Sequence, residues 1–124
     1  MLLFLGRISG IIVAGGIGSS VDFLTGDLRI KQLPNLPKNI DGSSMVAHNG
    51  TIILCGGKNN EKQCLQMDHG TWKDHSTLNE ARVWHSAVTT QTATFIFGGT
   101  YSRTTYEYLP KDSTKWLMGK TEIP

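Results

Sequence analysis

The stretch Thr51-Ile52-Ile53-Leu54-Cys55-Gly56-Gly57 (TIILCGG) decides the fold. A run of β-branched and apolar residues ends abruptly in two glycines. The same form occurs earlier as GIIVAGG (Gly10 to Gly16) and later as TFIFGG (Thr94 to Gly99). The second glycines of the pairs, Gly16, Gly57 and Gly99, are almost evenly spaced along the chain. The segment SMVAHNGTIILCGG (Ser44 to Gly57) overlays SAVTTQTATFIFGG (Ser86 to Gly99) without a gap. Trp72 and Trp116 follow at a slightly wider spacing, which places a small insertion in a loop of the later copy. Self-similarity at a fixed period of about 20–50 residues marks a repeat architecture.

Working outward from the glycines, each unit reads as four short strands. In the middle unit, SMVAH leads into Asn49-Gly50, the favoured two-residue hairpin turn. TIILC is a continuous apolar run, as expected of a strand covered on both faces. QCLQM (Gln63 to Met67), the turn DHG and TWKDH (Thr71 to His75) complete the unit. The first unit supplies VDFL, the turn TGD and LRIKQL; the third supplies TTYEYL, the turn PKDS and TKWLM. No segment carries a sustained 3.6-residue apolar period, so no helix is expected. The units fall at 1–42, 43–84 and 85–124.

The glycine pairs have a physical role in this scheme. Glycine reaches positive φ without steric cost and lets another backbone come close, so Gly15-Gly16, Gly56-Gly57 and Gly98-Gly99 allow a sharp exit from a crowded strand end. Four-stranded sheets stacked face to face around an axis bury such strands on both sides. The expected fold is therefore all-β, a partial β-propeller of four-stranded antiparallel sheets. Trp72 and Trp116, on outer strands, would fill the wedge that opens between neighbouring sheets away from the axis.

These residues resemble the kelch repeat, in which an apolar strand ends in Gly-Gly, an aromatic follows, and a Trp comes one hairpin later. Gly98-Gly99, Tyr101 and Trp116 fit this pattern, as do Gly56-Gly57 and Trp72, although Lys58-Asn59 stand where the aromatic is expected. The R-x-x-H-S approach to the first strand is matched by Arg82, His85 and Ser86. In the first unit Ile30 stands near the Trp position. The spacing is closer to the WD40 period of about 40–45 than to the kelch period of about 50. Yet Trp72 precedes Lys73 and Trp116 precedes Leu117, so the Trp-Asp pair of WD40 is missing and kelch is the nearer likeness. Propellers have about 4–8 sheets, and this chain supplies about three. It reads as a fragment of a longer protein, with the remaining blades outside it.

Composition agrees with an all-β chain. Charged residues are 18% of the 124, below the roughly 25% of ordinary soluble domains, and there are 14 glycines. A net charge of +2 with scattered Lys and Arg argues against nucleic acid. No apolar run approaches the roughly 20 residues of a membrane span. The opening MLLFLGRISG lacks the basic start and the apolar length, about 7–15 residues, of a signal peptide.

Cys55 and Cys64 flank one short loop at matched distances from it, a placement that suits a cross-hairpin disulfide and an oxidising compartment. The alternative is two free buried thiols. Localisation stays open, with a secreted or extracellular setting favoured over a cytoplasmic one. Asn49-Gly50-Thr51 is a glycosylation sequon, but the hairpin turn already explains it. His48, His69, His75 and His85 lack metal-motif spacing. His85 with Arg82 reads as a tether between units. A kelch-type copper oxidase would need a Tyr–Cys site, and Tyr101, Tyr106 and Tyr108 all fall in one unit away from the cysteines.

The loops are the better candidates, because loops on a rigid scaffold commonly carry binding. Lys58, Asn59 and Asn60 lie in one such loop, Tyr101 and Arg103 in another, and Arg82 in a connection between units. Tyr and Arg are the types most enriched at interface hot spots. The expected function is a protein–protein interaction module without enzymatic activity, cofactor or metal. The alternatives implied by the resemblance are the substrate-receptor part of a cullin-type ubiquitin ligase adaptor and, below it, the propeller part of a secreted copper oxidase.

Overall fold

A computed structural model describes residues 2–5, 10–14, 19, 21–25 and 30–123. Gly15 and Gly16 lie outside them. Among the described residues, twelve strands make three four-stranded antiparallel sheets, each in simple sequence order. The first holds β1 (Leu2–Leu5), β2 (Gly10–Ala14), β3 (Val21–Thr25) and β4 (Ile30–Leu33). The second holds β5 (Ser44–His48), β6 (Thr51–Cys55), β7 (Gln63–Asp68) and β8 (Thr71–Thr77). The third holds β9 (Ser86–Thr89), β10 (Ala93–Phe97), β11 (Tyr106–Pro110) and β12 (Leu117–Met118). There is no helix among the described residues. The opening strands are neighbours in space: β5 lies beside both β1 and β9.

Local chemistry explains the turns. Asn49-Gly50 and His69-Gly70 each pair a left-handed non-glycine (φ 50° and 47°) with a left-handed glycine (φ 72° and 81°). Two consecutive positive φ values suit the twist of a two-residue hairpin. The fourth strand of the third sheet is shorter than TKWLM suggests. The turn through left-handed Asp112 (φ 64°) delays pairing until Leu117.

Two apolar clusters join the sheets. Val21, Leu36, Ile40, Met45, Leu54 and Leu65 lie between the first and second, with Trp72 against them. Val46, Ile53, Leu78, Ile96, Leu109 and Trp116 lie between the second and third. Each fully buried Ile or Leu contributes about 1.5–3 kcal/mol. Both tryptophans reach back to the preceding sheet. Trp72 donates from Nε1 to the Pro34 carbonyl at 2.9 Å, and Trp116 donates to Ser76 Oγ at 2.9 Å.

Cys55 and Cys64 are direct cross-strand partners in β6 and β7 and form a disulfide, with Cα atoms 4.0 Å apart. The next pair, Gly56 and Gln63, is hydrogen-bonded (N to O 3.0 Å), which makes the cysteines a non-hydrogen-bonded pair. Such pairs bring opposing side chains closest.

The repeat extends to single hydrogen bonds. Lys58 N to Asp41 O (2.6 Å) recurs as Thr100 N to Val83 O (2.8 Å). Gly56 N to Gln63 O recurs as Gly98 N to Thr105 O (2.9 Å), and Asn60 N to Gly57 O (2.9 Å) recurs as Ser102 N to Gly99 O (3.3 Å). The glycine pairs match too, with φ of 66° and 96° at Gly56-Gly57 and 66° and 108° at Gly98-Gly99. A Cβ on Gly56 would stand 2.5 Å from His85 Cε1 and 2.6 Å from the Arg82 carbonyl oxygen, whereas one on Gly50 would meet nothing.

The two glycines separate conformational strain from crowding. Gly50→Ala should cost about 1 kcal/mol, the left-handed penalty alone. Gly56→Ala adds a clash with backbone and should cost more than about 3 kcal/mol. Urea titrations of both variants check this; equal midpoints would show that close approach is not what Gly56 provides.

Candidate functional site

The connection between β8 and β9, residues 78–85, carries the chemistry. Arg82 is fully buried. Its main chain belongs to the second sheet's loop: the N–H donates to Glu61 O at 2.9 Å, and the carbonyl accepts from Gly57 N at 2.8 Å. Its side chain belongs to the third sheet. Nε donates to Glu107 Oε2 at 3.0 Å, Nη1 to the carbonyls of Gly98 (2.9 Å) and Thr105 (3.0 Å), and Nη2 to Thr105 Oγ1 at 3.0 Å. Nη2 also stands 3.3 Å from Glu80 Oε2.

Glu107, on β11 and equally buried, is satisfied in turn. It accepts from Asn79 N (2.6 Å), Asn79 Nδ2 (2.9 Å) and Glu80 N (3.1 Å) besides Arg82. A hydrogen bond from the Thr105 hydroxyl, aided by the Arg82 charge, holds the Glu80 carboxyl below its ordinary range. Strand alternation could have found Glu107: in YEYLP it shares an inward row with Leu109, where a lone carboxylate demands a cation.

His85 closes the connection. Its Nε2 shares a 2.6 Å hydrogen bond with Ser44 Oγ on β5. Burial, reinforced by the Arg82 charge, pushes its pKa down to about 4, so the ring is neutral at physiological pH.

The expected binding residues divide into two groups. Arg82 is withdrawn from any partner by its burial and acts as a tether. Asn60, only 3% exposed, is also internal: its Nδ2 donates to the carbonyls of Gly56 (3.0 Å) and Gln63 (2.8 Å). Lys58, Asn59, Tyr101 and Arg103 are exposed. Tyr101 and Arg103 line an open hollow of about 470 Å³ with Lys62, Glu80 and Thr104.

A search for Tyr and Arg alone misses Trp84, although Trp is equally a hot-spot residue type. Trp84 is 67% exposed and has φ 60°, a left-handed backbone that a bulky residue rarely adopts. Its equivalent in the preceding unit is Gly42, with φ 71°. Trp84 N donates to Gly42 O at 2.8 Å, and a Cβ on Gly42 would touch the indole at 2.9 Å. The sequence signal is the overlay itself, which sets a tryptophan on a glycine. The bond from Thr100 N to Val83 O ties the Tyr101 loop to Trp84's neighbour, so Gly42, Trp84 and Tyr101 lie along one hydrogen-bonded ridge. Among the described residues no three His, Cys, Asp or Glu side chains group as metal ligands.

Comparison with protein-family models gives no match, and no curated protein matches the chain.

Two measurements test the tether. Glu107→Gln leaves the Arg82 charge buried without its carboxylate and should lower stability by about 3–5 kcal/mol in denaturant titration. His85 has a folded pKa below its unfolded value near 6.5, so the unfolded chain binds the extra proton. Its contribution is complete above about pH 6.5 and is lost as pH falls toward 4, amounting to about 3 kcal/mol. Thermal melts between pH 7 and 4 should show this slope, and His85→Gln should flatten it.

Proposed function

We propose that this chain is part of a kelch-type β-propeller that binds another protein through its loop face. The observation that carries the reading is Trp84. A left-handed conformation costs a non-glycine residue about 1–2 kcal/mol, and the equivalent position holds glycine. The indole is 67% exposed, so burial in the core does not offset that cost. Strained residues concentrate at functional sites, and exposed Trp, Tyr and Arg are the usual hot-spot residues. Trp84, Tyr101 and Arg103 supply all three types from two loops tied by the Thr100–Val83 hydrogen bond. The mechanism is display: loops pinned to the sheets lose little further entropy when a partner binds.

The Cys55–Cys64 disulfide supports an oxidising compartment and so a secreted or extracellular kelch protein over an intracellular ligase adaptor. No reaction is assigned to the chain.

Trp84→Gly separates binding from folding. It relieves the backbone strain, so Tm should stay at or above the wild-type value in calorimetry. The same variant, and Tyr101→Ala, should lose the proteins that the immobilised wild-type chain retains from an extracellular extract, quantified by mass spectrometry. An unchanged captured set with both variants would remove the loop face from the function.

A further inference from the structure

The hairpin between β5 and β6 carries a motif that the turn explains only in part. Asn49-Gly50-Thr51 has the Asn-x-Thr form of a glycan acceptor, with a residue other than proline in the middle. It is the only such triplet in the 124 residues. The turn accounts for Asn49 and Gly50, which hold consecutive positive φ values of 50° and 72°. It makes no demand on Thr51. One unit later the overlay sets Gln91, Thr92 and Ala93 on these three positions, so the motif is peculiar to this hairpin and is not carried by the repeat.

The geometry presents the acceptor. Asn49 and Gly50 are exposed, and a Cβ placed on Gly50 would meet no atom within 4 Å. The tip therefore has room for a bulky substituent. Asp112 N donates to Asn49 Oδ1 at 3.2 Å. That bond engages the amide through its oxygen and leaves the nitrogen, the atom to which N-linked sugars attach. Thr51 opens β6 opposite His48 and is half-buried, whereas its counterpart Ala93 is 7% exposed. Beside the amide lies a hollow of about 110 Å³ whose wall includes Asn49, Thr89, Thr90, Gln91 and Lys111. Hydroxyl, amide and ammonium groups of this kind suit the hydroxyls of an innermost sugar.

A second, independent observation points to the same chemistry. The Cys55–Cys64 disulfide closes the other end of β6. Disulfides form and persist in the oxidising secretory compartments. Asn-x-Thr acceptors are likewise a feature of the surface loops of secreted proteins.

We propose that Asn49 is an N-glycosylation site and that the protein carries one oligosaccharide there. In the transfer, Asn49 Nδ2 bonds to the anomeric carbon of an oligosaccharide held on a lipid diphosphate. The bond from that carbon to the diphosphate oxygen breaks, the lipid diphosphate leaves with the electron pair, and one amide proton passes to a base of the transferase. No oxidant or reductant is consumed. The inference rests on the secreted setting proposed above and not on the loop face. β6 runs from Thr51 to the Gly56-Gly57 pair, so the glycan stands at the opposite end of the sheet from the loops after Gly57 and Gly99 and leaves them uncovered.

Mass spectrometry of the protein from its native cells tests the proposal. The peptide containing Asn49 should carry the added mass of hexose and N-acetylhexosamine units and lose it on treatment with a peptide N-glycosidase. In eukaryotic cells that secrete the chain behind a cleavable leader, wild type and Thr51→Ser should carry the sugar. Asn49→Gln and Thr51→Ala should emerge at the bare 13.6 kDa chain mass. If Asn49→Gln fails to fold, Thr51→Ala carries the comparison, because it leaves both turn residues in place. A native Asn49 peptide without sugar overturns the proposal. A thiol assay on the same protein then separates the two readings: an intact Cys55–Cys64 bond confines the failure to the glycan, and free thiols remove the secreted setting with it. A sugar retained in both Asn49→Gln and Thr51→Ala overturns Asn49 as the site.

Discussion

A buried guanidinium is tolerable only where nearly every donor finds an acceptor, and Arg82 meets that condition by joining two sheets. Its backbone is bonded into the loop after β6 and its side chain into the loop after β10. The second and third sheets therefore cannot shift against each other without stripping a buried charge of its partners. The preceding junction achieves contact differently. Ile40 and Leu65, the repeat equivalents of Arg82 and Glu107, meet in an apolar cluster between the first and second sheets. An apolar pair tolerates sliding; an ion pair with this many bonds is satisfied in one geometry. The loop carbonyls show the same exchange. Asn60 caps those of Gly56 and Gln63 from within its own loop, while Arg82 caps those of Gly98 and Thr105 from the preceding connection.

Departures from the repeat are informative because the repeat is otherwise so regular. Where backbone hydrogen bonds recur from unit to unit with little change in length, a change of residue type is a local decision rather than drift in register. Gly42 becomes Trp84 at a backbone conformation that suits only the glycine. Cys55 and Cys64, a covalent pair under the third sheet, become Phe97 and Tyr106, a stacked aromatic pair on the face that the segment after β12 crosses. Each replacement puts a large ring where the earlier unit holds a small or buried group. Local rules broken in a consistent fold point to sites under a different constraint.

Much of the architecture was legible in the sequence because its signals are local. Glycine pairs ending apolar runs, Asn49-Gly50 between two strands and two tryptophans near one period place the strands to within a few residues. Three four-stranded sheets follow from those signals. The site was less legible, since its decisive facts depend on partners distant in the chain. Arg82 looks like a surface hot-spot residue until Glu107, on β11, is brought against it. Asn60 looks like a loop tip until its amide is seen to fill its own loop. Residue type gives no warning of a left-handed Trp84; only comparison with Gly42 does. The first unit's Gly15-Gly16 falls outside the described residues, so its part in the scheme rests on sequence alone.

Strain and clamping are two sides of one arrangement. A left-handed tryptophan on a free loop would relax by rotating its backbone, and the position would drift among conformers. Here every neighbour is fixed. Arg82 is held on both sides, the Val83 carbonyl accepts from Thr100, the Trp84 N–H donates to Gly42, and His85 is bonded to Ser44. Four consecutive residues are thus tied to two different sheets, and the conformation persists because its surroundings over-determine it. The consequence reaches the surface. In the binding role proposed above, the backbone entropy at Trp84 is lost during folding, when the Arg82 and His85 bonds form, and not during association.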